Sequence, residues 1–186
     1  MAKRFHARRL HLTREANALD DLDKAFLFLD KTELNVKAWK WVLLCLYNAL
    51  YAFSVCVYAS QSERNGASEP KTKKFVSFDE ALRTALRCKE EASTPGRMQS
   101  IRELKKLFRD HFRHPLVETP EIETARLPRI VLDVIEVIRL LGSDPGCTPG
   151  FSEAHRRKIR SIAFRAQASL KQGRLYRESI DSRKRG

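Results

Sequence analysis

Glycine is scarce in this chain, with seven residues that build no phosphate-cradling loop. That excludes a P-loop or a dinucleotide fingerprint, both of which need closely spaced glycines ahead of a helix. Convincing strand pairs are missing as well, and no internal repeat is seen. Cysteine is sparse. Cys45, Cys56, Cys88 and Cys147 form no CxxC and have no histidine nearby, so no metal and no cofactor is expected. A helix would hold Cys45 and Cys56 too far apart to bond. Reduced, structural thiols in a cytoplasmic protein are therefore expected. The N-terminus is basic but no apolar core follows it, so no signal peptide is expected. Acidic residues are the last deficit: 23 Asp and Glu face 36 Lys and Arg, a formal net charge of +13. Such a bias says little of fold but favours a polyanion as partner.

What is present is helical. The 186 residues suffice for one domain with a real core and a basic extension. A basic arm over residues 1–12, a helical domain over 13–180 and a frayed basic end over 181–186 are expected. Residues 13–31 place Ala16, Leu19, Leu22, Phe26 and Leu29 at three-to-four spacing, so one face packs. Residues 36–60 are apolar on most sides, and 41–60 hold no charge at all. That length could cross a bilayer. Asn48, Ser54, two cysteines and three tyrosines within it point instead to the central buried helix of a bundle. Ser77-Phe78-Asp79-Glu80 reads as a capping box. Pro95 restarts the chain as a helix that carries Ile101, Leu104, Phe108 and Phe112 on one stripe. It should end at His114, since a residue before proline avoids the α region. Pro128 opens an apolar helix to about Leu141, and Ser152 caps a last one. The sum is an all-α, antiparallel bundle of five to six helices.

The chemistry concentrates in Arg109-Asp110-His111-Phe112-Arg113-His114-Pro115. On an α-helix Asp110 and His114, four apart, share a face. The helix end favours a cation and would raise the His114 pKa. An always-charged guanidinium, a titratable imidazole and a carboxylate to orient it are what metal-free phosphoester chemistry requires. The bland alternative is a charged helix end that caps carbonyls and meets solvent.

Arg109-Asp110-x-x-x-His114 resembles the Rx4–6H motif of the HEPN family. The run Ala38-Trp-Lys-Trp-Val-Leu-Leu-Cys-Leu-Tyr-Asn-Ala-Leu50 is similar to the Trp-Lys-Trp and Asn-Ala-Leu pattern of a plasmid- and phage-associated HEPN subgroup. Ile122-Glu123 and Leu127-Pro-Arg-Ile130 fall at the distance expected behind the motif. The resemblance covers about residues 16–141. Where the subgroup tends to read Asn, an aromatic and Trp, this chain has Asp110, Pro115 and Pro120, changes that bear on loop packing and substrate fit. The resemblance implies a helical bundle, usually dimeric, and a metal-independent endoribonuclease.

On that basis Arg109, Asp110 and His114 are the expected catalytic residues, with His111, Arg113 and Asn48 as possible support. Asn48 is expected to face inward. Arg109 would stabilise the phosphorane, His114 would move the proton and Asp110 would orient His114. A homodimer would join two such sets. Eleven Lys and Arg follow His155 against only Glu178 and Asp181. Arg156, Arg157, Lys158, Arg160 and Arg165 are therefore expected to add salt-sensitive RNA affinity. Expected partners are RNA, a second copy and a neutralising antitoxin, as for a toxin or defence protein, with no membrane. The alternatives are a non-catalytic RNA-binding or regulatory dimer, and a membrane-anchored interaction protein built on residues 41–60.

Overall fold

The computed structural model describes residues 12–64, 75–113 and 122–173. Among these it is an all-α bundle of six α-helices: α1 (Arg14–Leu29), α2 (Ala38–Arg64), α3 (Phe78–Cys88), α4 (Pro95–Leu107), α5 (Leu127–Ser143) and α6 (Glu153–Gln172). Local chemistry sets where several of them begin. Thr13 accepts the Ala16 amide at α1, Ser77 the Glu80 amide at α3 and Ser152 the His155 amide at α6. The second half of the expected box takes another form. The Glu80 carboxylate accepts the Tyr58 hydroxyl at 3.2 Å and so ties α3 to α2. Pro95 and Pro128 occupy the first turns of α4 and α5, where a missing amide proton costs nothing.

Helix α2 is the axis of the core. Val42, Leu46, Ala49, Leu50, Phe53 and Val57 are fully buried along it, against α1, α3 and α5. By length and composition α2 could also cross a membrane; in this fold half of its most apolar stretch is buried by its own chain. Its one fully buried hydroxyl, on Ser54, bonds back to the Leu50 carbonyl at 2.7 Å.

Cross-helix pairs give the directions. Ser100 Oγ meets Asp133 Oδ2 at 2.6 Å while Arg97 meets Glu136 at 3.7 Å, so α4 and α5 are antiparallel. By contrast α2 and α3 run the same way, since Tyr47 stacks on Phe78 and Gln61 reaches Cys88. So do α1 and α6, through Asp23 with Lys158 and Phe26 with Arg165. The expectation of an antiparallel arrangement therefore holds for only some neighbours. Thirteen residues separate α2 from α3, and α1 and α6 are not consecutive, so neither pair meets the reversal that a short link imposes.

At the crossing of α2, α5 and α6 lies Gly142. A Cβ there would stand 2.6 Å from Phe53 Cε1 and 2.8 Å from Ile159 Cδ1. Gly142→Ala should therefore destabilise the bundle by roughly 1–3 kcal/mol through overpacking, more than the helix propensity it gains. A lowered urea midpoint with an unchanged slope would show it.

A second test concerns Glu136, on the face of α5 toward α4 and α6. Arg139 donates two hydrogen bonds to it, both at 2.7 Å, and holds its carboxyl below the ordinary 4.5. A depressed carboxylate contributes stability above its unfolded pKa and loses it as pH falls through the folded value. Stability should thus fall as pH drops below about 4.5. In Glu136→Gln, unfolding measured at stepped pH should show a shallower acid limb.

Candidate functional site

The segment with the expected chemistry leaves α geometry before its functional residues begin. Helix α4 ends at Leu107, and Phe108–Arg113 form a π-helical turn. This corrects the expectation of one α-helix running to His114. In a π turn the ladder widens from i→i+4 to i→i+5, a local insertion often met at functional sites. Two features go with the departure. Pro115 disfavours α geometry just beyond, and Phe108 lies flat on a neighbouring ring.

That ring belongs to Tyr47 of α2. Phe108 and Tyr47 stack with centroids 3.8 Å apart and planes 7° from parallel. Tyr47 stacks in turn on Phe78 of α3, at 4.7 Å and 11°. Three rings from three segments thus make a ladder beneath the π turn. Lys105 fastens the same corner: its ammonium lies 2.6 and 2.7 Å from the Asp79 carboxylate oxygens and 6.0 Å from the Phe78 ring centroid. Sequence reasoning assigned no role to Tyr47. Its place inside the Trp-Lys-Trp to Asn-Ala-Leu run was the available signal.

Arg109 projects from this platform with its side chain 63% exposed, beside an Asp110 side chain that is 30% exposed. Asp110 accepts from Arg109 Nε at 2.7 Å and from Nη2 at 3.4 Å. The hydrogen bond, and then the charge, of Asp110 push the Arg109 pKa up, so the guanidinium is a permanent cation. It is held side-on, through Nε and Nη2, by one carboxylate, and most of its side chain is open to solvent. The arrangement can present a fixed, oriented positive charge to an anion. His111 and Arg113 belong to the π turn by their backbone. Their side chains, and the whole of His114, lie outside the described residues.

The remaining expected residues divide. Asn48 does not face inward. It is exposed and lines a groove of about 530 Å³ between α1 and α2, with Arg14, Asn17, Asp21 and Tyr51. The reason is angular: two residues on from the buried Leu46, Asn48 sits roughly 200° round the helix.

Arg156 is also corrected. It is 5% exposed, and its Nη1 donates to the Gly142 carbonyl at 3.2 Å while Nη2 donates to the Thr148 carbonyl at 2.8 Å. A guanidinium so enclosed satisfies one C-terminal carbonyl of α5 and one of the loop behind it, and is not offered to RNA. Lys158 pairs with Asp23, and Arg160 with Glu153 at 2.5 Å. Arg165 stacks over Phe26, 4.3 Å from the ring centroid. Arg157 is exposed, with no carboxylate partner among the described residues.

Compared with protein-family models, curated proteins and solved structures, the chain matches none.

Proposed function

We propose that this protein is a HEPN-like, metal-independent endoribonuclease that cleaves RNA at a site composed from two copies of the chain. The observation that carries the reading is the exposed Arg109 guanidinium, aimed by Asp110, on a turn whose adjoining Phe108 is anchored in the Phe78–Tyr47–Phe108 ladder. RNA supplies its own nucleophile, the 2′-hydroxyl. In the proposed reaction that oxygen attacks the phosphorus and the 5′-oxygen departs. Arg109 stabilises the charge that builds on the phosphoryl oxygens. His114 carries a proton from the 2′-hydroxyl or to the 5′-oxygen. Two copies related by a two-fold axis supply both a base and an acid. The products are a 2′,3′-cyclic phosphate and a 5′-hydroxyl.

In this reading Asp110 orients the guanidinium; its expected partner His114 lies outside the described residues. The proposed setting is cytoplasmic, as a toxin or defence protein restrained by a neutralising partner. The test is incubation of end-labelled RNA with the purified protein in EDTA. Cyclic-phosphate ends at full rate support the proposal; cleavage that EDTA abolishes, or no cleavage, sinks it.

A second reading is a non-catalytic RNA-binding or regulatory dimer. It is favoured by the same Asp110 contact, since part of the Arg109 donor set is already taken. Salt-sensitive RNA binding without cleavage would establish it in place of the first.

A further inference from the structure

Phe164 is out of place by ordinary folding logic. It sits on α6 with 73% of its surface exposed, among the described residues the one large apolar side chain that α6 leaves in water. Single exposed apolar residues are common and mean little alone. Its neighbours give it meaning. Ile159, Ile162, Ala163, Ala166 and Leu170 turn to the core. Arg157, Ser161, Phe164 and Lys171 fall on the opposite face at three-to-four and seven spacing. Arg157 and Lys171 lie about 10 Å along the axis to either side of Phe164. Both are exposed and have no carboxylate partner among the described residues. Arg165, next in the chain, is braced on the Phe26 ring and pairs with no acid among the described residues. Beyond α6 the sequence adds Arg174, Arg177, Arg183, Lys184 and Arg185.

We propose that this face of α6 binds single-stranded nucleic acid, with Phe164 as the platform on which one base stacks between phosphates held by Arg157 and Lys171. The charge pattern selects this occupant. A second copy docked here would bring like cations together. A lipid surface would want a broader apolar face than one ring. A single strand offers what the face lacks: phosphates at intervals and a flat π surface between them. The inference rests on the RNA reading for the choice of polymer but not on cleavage.

The experiment uses the full chain and a fluorescently labelled, single-stranded 2′-O-methyl oligoribonucleotide, which has no nucleophile and cannot be cut. Anisotropy gives its affinity. Phe164→Ala and Phe164→Leu should each weaken binding by about 10-fold, and Phe164→Tyr should restore it. A duplex of equal length should bind the wild type and Phe164→Ala alike. Arg157→Gln with Lys171→Gln should lower the salt slope by about 1–2. Because Phe164 lies in solvent, these variants should keep wild-type helicity.

Phe164→Ala binding the single strand as the wild type does overturns the proposal and leaves the RNA reading standing. Full affinity in Phe164→Leu overturns it too, since apolar bulk would then suffice. So does a loss in Phe164→Ala confined to phosphatidylserine vesicles, or a loss of its dimer with strand binding intact. If the wild type binds no strand, the RNA reading fails with it.

Discussion

Arg109→Ala should cut RNA about 10²–10³-fold more slowly than the wild type while folding, dimerising and binding RNA almost unchanged. The size follows from the role. The guanidinium is proposed to meet charge that exists only as the phosphorane forms, so its loss falls on kcat and not on KM. The structure makes the experiment clean, because Arg109 lies largely in solvent and, among the described residues, its hydrogen bonds go to Asp110. Arg109→Lys should recover little, since an ammonium lacks the fork that Asp110 holds side-on. His114→Ala should lose about 10²–10⁴-fold, the range for removal of a proton carrier. Mixing the Arg109→Ala and His114→Ala chains offers a further readout. Heterodimers that regain activity would show that each copy lends a different group. Full activity in either single variant would remove the assignment. Single-turnover rates with circular dichroism and sedimentation as controls decide the matter.

Arg156→Ala should have the largest effect on stability, roughly 2–4 kcal/mol, because hydrogen bonds from a buried charged donor are lost and their carbonyls are left dry. Arg156 joins the Gly142 carbonyl, the Thr148 carbonyl and the Thr148 hydroxyl. Thr148 in turn reaches the carbonyls of Leu141 and Asp144, both at 3.2 Å. One guanidinium thus holds together the end of α5, the loop behind it and the start of α6. In a chain of this size the loss should lower Tm by roughly 5–15 °C. At a temperature where the variant is folded, the salt slope of RNA binding should match the wild type. The neighbouring Arg157→Ala should behave in the opposite way, with Tm kept and the slope reduced by about 1. A stable Arg156→Ala protein with weakened RNA binding would contradict the structural role.

That contrast shows how the sequence could mislead. Arg156 and Arg157 are adjacent, chemically identical and equally basic on paper. One turns toward Gly142 and Thr148, the other toward water, and the choice lies in a rotation of about 100° along α6. Periodicity does signal it, since position 156 falls three residues before the buried Ile159. A charge count overrode that signal. Asn48 repeats the lesson in reverse: an amide inside an apolar run was expected to be buried, yet its angle from Leu46 puts it in a surface groove. The π turn was less accessible. Nothing in Phe108-Arg-Asp-His-Phe-Arg113 spells a widened ladder, and the flat Tyr47 stack that accompanies it joins residues far apart in the chain.

The sequence by itself determined the all-α class, the central position of α2 and the caps at Ser77 and Ser152. These follow from interactions within a few residues, which a linear pattern records. Only the tertiary structure decided which cations stay on the surface, that α2 and α3 run the same way, and that Phe108, next to Arg109, joins a ladder of three rings. Those outcomes depend on partners distant in the chain. Burial and stacking are properties of where segments meet, and that meeting is not written in either segment alone.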